Sequence, residues 1–219
     1  MEREEVVLQL KEQGVLPLFY HADLQVCLDV VKALYSAGIR AIEYTNRGEA
    51  AYENFKALVA ERNENMKDLL LAIGTIRTAE QATKFINAGA DFLISPVFDA
   101  GVCDIAYMNK VLWIPGCMTP TEIHVAENAG CQMVKLFPGN ILGPAFVSGI
   151  KELFPAMDFM PTGGVEVSKE NISEWFKAGV SAVGLGSNLI SKDVLEKRNY
   201  TSLSTLTKEA LSIIAAIRE

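Results

Sequence analysis

Ala88-Gly89-Ala90-Asp91-Phe92-Leu93-Ile94-Ser95-Pro96-Val97 is the stretch on which the fold turns. A glycine just past a helix can take the left-handed conformation that closes it, because it has no Cβ to clash. The apolar run that follows has strand length and is too continuous for a half-exposed antiparallel strand. The same step recurs as Ala37-Gly38 before 39–45, Ala129-Gly130 before 133–137 and Ala178-Gly179 before 182–186. Successive steps lie roughly 40–50 residues apart, the length of one or two βα units.

Working outward from these steps, the pattern predicts eight strands, at 15–20, 41–47, 69–75, 92–97, 112–117, 133–138, 159–164 and 182–187. Amphipathic stretches between them predict helices at 24–37, 50–62, 78–88 and 119–129. Ser168 is the expected N-cap of a helix over 169–177, and Thr119 or Thr121 that of the helix after strand five. Segment 98–108 is weakly periodic and predicts a short helix. An extra helix at 2–13 precedes the first strand, and one at 203–218 closes the ring. Eight strand–helix alternations without a break in composition point to an α/β protein, a (β/α)8 barrel of one domain over 1–219, rather than an open doubly wound sheet.

Composition agrees with this and removes several functional classes. Half of the residues are hydrophobic, enough for a sheet buried on both faces. The formal charge of −7 argues against a nucleic-acid partner, since a phosphate backbone demands a basic face. No apolar run reaches membrane-spanning length, and the acidic start Met1-Glu-Arg-Glu-Glu lacks the order of a signal peptide. Cys27, Cys103, Cys117 and Cys131 are scattered without a C-x-x-C pair and read as packing thiols in a reducing cytoplasm. His21 and His124 belong to no ligand-spaced cluster, so no metal is expected.

In a barrel the chemistry sits at the C-terminal strand ends, so polar residues interrupting apolar strands are the ones to examine. Lys135, within Met-Val-Lys-Leu-Phe-Pro, has apolar neighbours on both sides. Burial disfavours an ammonium, and carbonyl attack requires the neutral amine; the alternative is a lysine whose stem packs while its head reaches solvent. Glu43 and Arg47 interrupt strand two four residues apart, which on an extended strand puts them on one side. They read either as an acid/base with a carboxylate-binding fork or as a structural ion pair. Thr75 and Thr162 end strands three and seven. Pro161-Thr162-Gly163-Gly164 and Gly184-Leu185-Gly186-Ser187 are glycine-rich ends of strands seven and eight, where backbone N–H groups can approach a phosphate.

Taken together, Ile42-Glu43-x-Thr45-x-Arg47, Gly74-Thr75, Pro115-Gly116-x-x-Thr119-x-x-Glu122, Val134-Lys135-Leu136-Phe137-Pro138, Pro161-Thr162-Gly163-Gly164 and Gly186-Ser187 resemble the 2-keto-3-deoxy-6-phosphogluconate (KDPG) / 4-hydroxy-2-oxoglutarate (KHG) aldolases. The matches run from the second to the eighth strand in order. The resemblance implies a class I aldolase with Lys135 as the Schiff-base lysine and Glu43 as the general acid/base. Arg47 and Thr75 would hold the carboxylate, Phe137 would pack beside the imine, and Pro96 would complete the substrate-binding set. Thr162 would face the hydroxylated carbons, and Gly163, Gly164, Gly186 and Ser187 would receive the phosphate. The partners implied are pyruvate and a phosphorylated keto acid; the family needs no metal or cofactor and is typically homotrimeric. Two stretches depart from the family pattern: Arg47-Gly48-Glu49 where many relatives have Arg-Thr, and Pro138-Gly139-Asn140 in place of Pro-Ala-Glu. Thr162 and Ser187 resemble the gluconate-type more than the galactonate-type enzymes. Rival readings are a sugar-phosphate isomerase or epimerase and a non-catalytic phosphate-binding barrel, neither of which needs a lysine inside strand six.

Overall fold

A computed structural model describes residues 2–218. The strands are β1 (Val15–Phe19), β2 (Ala41–Thr45), β3 (Leu70–Gly74), β4 (Phe92–Ile94), β5 (Leu112–Ile114), β6 (Gly116–Cys117), β7 (Met133–Leu136), β8 (Asp158–Pro161) and β9 (Val183–Leu185). All pair in parallel, in the order β5-β4-β3-β2-β1-β9 and β6-β7-β8. Contacts at two seams join these sheets into one closed barrel. Lys135 N donates to Pro115 O at 2.8 Å, and Thr162 bridges to Gly184 while Ser181 N donates to Phe159 O at 2.9 Å. The barrel therefore has eight staves, the fifth split into β5 and β6. The continuous strand expected over 112–117 breaks at Pro115, which has no N–H to donate to the ladder although its carbonyl still accepts.

The helices are α1 (Arg3–Gln13), α2 (Leu24–Ser36), α3 (Ala51–Asn65), α4 (Ala79–Asn87), α5 (Ala100–Met108), α6 (Pro120–Asn128), α7 (Gly139–Ile150), α8 (Lys169–Ala178), α9 (Lys192–Glu196) and α10 (Tyr200–Arg218). Side chains cap them where the sequence offers an oxygen. Asp23 accepts from Gln25 N and Val26 N, Asp99 from Val102 N, and Ser168 from Asn171 N. Thr119, not Thr121, opens α6 in a reciprocal capping box with Glu122. Helix α5 is nine residues long, the same as α4 and α6. Helix α7, which the strand–helix alternation requires after strand six without fixing its bounds, bends at Gly143 (φ 70°), followed by Pro144, and that pair interrupts the periodicity.

Alternation along the strands divides the core into two layers. Leu16, Ala41, Leu70, Ala72, Phe92, Ile94, Leu112, Ile114, Met133, Met160 and Ala182 fill the barrel, and Val6, Val7 and Leu10 of α1 join them. The extra N-terminal helix thus plugs the end of the barrel at which the strands begin. The intervening residues, such as Ile42, Tyr44, Leu71, Ile73, Val134, Leu136, Val183 and Leu185, pack outward against the helices. Arg218 of α10 clamps α1 by donating to Glu12 O at 2.7 Å and Lys11 O at 2.5 Å.

Candidate active site

Val134 and Leu136 face the helices and Met133 faces the barrel interior, so period two sends Lys135 inward with Met133. By the same rule Ala41 and Glu43 point inward from β2, while Ile42 and Tyr44 point out. The staves β2 and β7 stand opposite one another, so the two side chains meet across the interior. Lys135 is 4% exposed and Glu43 wholly buried, with Nζ 3.7 Å from Oε1. That distance is an ion-pair contact and too long for a good hydrogen bond. Neither carboxylate oxygen of Glu43 has a hydrogen-bond partner among the described residues. Buried oxygens left unpartnered are costly to a fold and mark a site waiting for a ligand or a proton. The lysine nitrogen also lies 5.5 Å from the centroid of the Phe137 ring.

Glu43 has room only because residue 74 has no side chain. A Cβ on Gly74 would fall 1.7 Å from Glu43 Oε1 and 2.5 Å from its Cδ. Thr75, directly beyond, is half-buried and holds φ at 64°. For a β-branched residue this is a backbone outlier, of the kind that concentrates at functional sites. Past the neighbouring strand β4, Pro96 lies against β6: a Cβ on Gly116 would meet its carbonyl at 2.2 Å.

At the C-terminal strand ends, bordered by the same Phe137, opens a cleft of about 450 Å³. Its walls include seven of the residues singled out in the sequence: Arg47, Phe137, Thr162, Gly163, Gly164, Gly186 and Ser187. Gly163 and Gly164 have φ of 92° and 73°, a consecutive pair that only glycines hold without strain. Among the described residues, the N–H groups of Gly163, Gly164 and Ser187 donate to no backbone carbonyl. Thr162 Oγ1 is buried and unpartnered, seated against Gly184, whose Cβ would fall 2.4 Å away. The cleft offers a guanidinium and free amide donors, while Lys135 and Glu43 lie buried in the barrel interior and do not line it.

Not every expectation is met as drawn. Arg47 is not on strand two. The strand ends at Thr45, Arg47 N turns back to donate to Thr45 O at 2.9 Å, and the side chain is exposed on the loop. It does not share an extended face with Glu43, although both serve the same end of the barrel. Thr75 and Pro96 stand past β3 and β4, outside the walls of the cleft. Sequence reasoning missed Tyr20, Asn188 and Lys192, which do line it; for Tyr20 the usable signal was its place at the C-terminal end of the first strand. His21 is structural, its carbonyl accepting from Tyr44 Oη at 2.9 Å and Asn54 Nδ2 at 3.1 Å. Burial pushes the Tyr44 phenol upward, so it remains a donor. His124 lies on the surface beside Asn128 and Glu127. Of the four thiols, all free, Cys27 and Cys117 are buried and Cys103 and Cys131 half-buried.

Comparison with known proteins agrees with this geometry. The chain is 32% identical over 210 residues to the 2-dehydro-3-deoxy-phosphogluconate aldolase of Treponema pallidum (strain Nichols), covering 95% of this chain and 97% of the relative. It is 28% identical to the 2-dehydro-3-deoxy-6-phosphogalactonate aldolase of Escherichia coli (strain K12), covering 86% and 87%. The KDPG aldolase of Legionella pneumophila, solved with pyruvate captured as a covalent carbinolamine, superposes with a TM-score of 0.84 at 25% identity, covering 92% and 96%. Residues 6–206 match the family model for KDPG and KHG aldolase, and no helix is long and apolar enough to cross a membrane. The chain belongs to the KDPG and KHG aldolase family.

Proposed function

We propose that this protein is a class I aldolase that cleaves 2-keto-3-deoxy-6-phosphogluconate to pyruvate and glyceraldehyde 3-phosphate, and also accepts 4-hydroxy-2-oxoglutarate. The observation that carries this reading is the Lys135–Glu43 pair, buried at 3.7 Å in the barrel interior with the carboxylate otherwise unpartnered. The covalent capture of pyruvate by the Legionella pneumophila relative supports it. Thr162 and Ser187 favour the gluconate-derived over the galactonate-derived substrate, the similarity to a galactonate-type enzyme keeping the latter as the second reading.

The Lys135 amine attacks the C2 ketone to form a carbinolamine, and loss of water leaves a protonated imine. Glu43, directly or through a water, removes the proton of the C4 hydroxyl. The C3–C4 bond breaks, its electron pair passing to the iminium to form an enamine, and the aldehyde leaves. Protonation at C3 and hydrolysis of the imine release pyruvate and regenerate the amine. Arg47, with Thr75, binds the carboxylate, and the free N–H groups of Gly163, Gly164 and Ser187 receive the phosphate, with Gly186 beside them. Phe137 covers the imine, and Pro96, past the end of β4, completes the substrate-binding set.

Borohydride added with pyruvate should attach a reduced adduct to Lys135, located by peptide mass spectrometry, and Lys135→Ala should abolish both adduct and turnover. Glu43→Gln should still trap pyruvate but turn over at least about 10²-fold more slowly. An unmodified Lys135 in the unaltered protein would refute the covalent mechanism. The family resemblance also implies a homotrimer, which light scattering would test.

A further inference from the structure

Tyr20 follows β1 directly, and β1 pairs with β9 on one side and β2 on the other. Its ring therefore stands between the glycine-rich strand ends of β8 and β9 and the Arg47 loop, and all of these line the same cleft. The ring has a defined seat. One side faces Tyr44, with ring centroids 5.8 Å apart. The hydroxyl end rests over Gly48, where a Cβ would fall 2.1 Å from Oη and 2.6 Å from Cζ. Gly48 is not among the residues with positive φ, so its backbone does not demand glycine; the space taken by the phenol does. Unlike Tyr44, which donates to His21 O, the Tyr20 hydroxyl forms no hydrogen bond among the described residues.

A phenol with a free donor stands on the cleft wall between the Arg47 loop and the glycine-rich strand ends, beside whatever would span the two. We infer that Tyr20, seated on Gly48, is a specificity-determining residue that donates its O–H to the hydroxylated carbon chain between the reacting carbons and the phosphate. It thereby favours long phosphorylated keto acids over short ones. This rests on the aldolase reading above and adds a residue and a selectivity to it.

The test is the ratio of kcat/KM for 2-keto-3-deoxy-6-phosphogluconate to that for 4-hydroxy-2-oxoglutarate, measured alongside borohydride trapping of pyruvate. Loss of one hydrogen bond to a neutral group predicts that Tyr20→Phe lowers this ratio by about 3- to 10-fold, chiefly through KM for the long substrate, while trapping of pyruvate persists. Gly48→Thr, which places atoms where the ring lies, should lower the ratio at least as far. In a Tyr20→Val background, Gly48→Thr should lower it no further, because the clash has been removed. An unchanged ratio in Tyr20→Phe, or equal losses on both substrates, would overturn the assignment of Tyr20. Failure of the unaltered protein to trap pyruvate would instead overturn the aldolase reading on which the assignment stands.

Discussion

Gly74→Ala isolates the placement of Glu43 from its chemistry. The substitution adds one methyl group to a residue whose φ is unexceptional, so the backbone tolerates it. That methyl falls 1.7 Å from Glu43 Oε1, whereas real Cβ contacts stay beyond 3.0 Å. The carboxylate must therefore retreat by about 1.3 Å, and a misplacement of about 1 Å in a reacting group costs on the order of 10²-fold in rate. Glu43 is fully buried, so it cannot escape into solvent and part of the strain stays in the core; overpacking of this kind costs about 1–3 kcal/mol. The assay is steady-state cleavage of the keto acid together with borohydride trapping and thermal melting. The expected result is turnover reduced about 10²-fold, Lys135 still trapping pyruvate, and a fold that melts lower but cooperatively. Glu43→Asp in the Gly74→Ala background should recover part of the lost turnover, because the shorter side chain withdraws from the added methyl. Wild-type turnover in Gly74→Ala would refute the role of Gly74 as the seat of the acid/base, and undiminished turnover in Glu43→Gln would remove Glu43 from the mechanism.

Two further outcomes concern stability. Asp91 pairs with Arg62 and accepts from Leu71 N at 2.7 Å, and burial holds its carboxyl above the usual range despite the guanidinium. A raised carboxyl binds its proton more tightly when folded, so its contribution is greatest below the unfolded value and is lost as pH rises through the folded one. Asp91→Ala leaves Arg62, 11% exposed, without its counter-charge and should cost about 2 kcal/mol, or roughly 4–8 °C in Tm; Asp91→Asn, which keeps an acceptor for Leu71 N, should cost less. Glu122 behaves oppositely: hydrogen bonds from Met118 N and Thr119 hold its carboxyl below the usual range. Its contribution is present above the unfolded value and lost as pH falls through the folded one. Denaturant titrations should find Glu122→Gln destabilised by about 0.5–1 kcal/mol at pH 7, with the gap closing as pH falls through the folded value; a gap that persists in strong acid would count against the capping box.

The predicted strands overshoot at their C-terminal ends. The first, second, sixth and seventh were read to Tyr20, Arg47, Pro138 and Gly164, but the ladders stop at Phe19, Thr45, Leu136 and Pro161. Those overshoots hold Tyr20, Arg47, Phe137, Thr162, Gly163 and Gly164. Composition reads as strand right up to the point where the backbone leaves the sheet to present side chains or amides to the cleft. At the N-terminal ends, where only packing is at stake, the expected and observed boundaries agree within one residue.

What the amino-acid order determined by itself is whatever follows from period and propensity. The Ala-Gly steps and apolar runs specify a parallel barrel, and a lysine in a strand of Met, Val and Leu marks Lys135 as the candidate nucleophile. Local chemistry also named Ser168 as the cap of α8, while the choice of Thr119 over Thr121 for α6 waited on the fold. Only the tertiary structure decided that Glu43, on the second stave, meets Lys135 on the sixth, since the two lie 92 positions apart and touch only once the barrel closes. It likewise decided why Gly74 and Gly48 bear no side chain. A glycine is silent about its reason in one dimension, because the atoms that claim its space, the carboxylate of Glu43 and the phenol of Tyr20, arrive from other strands.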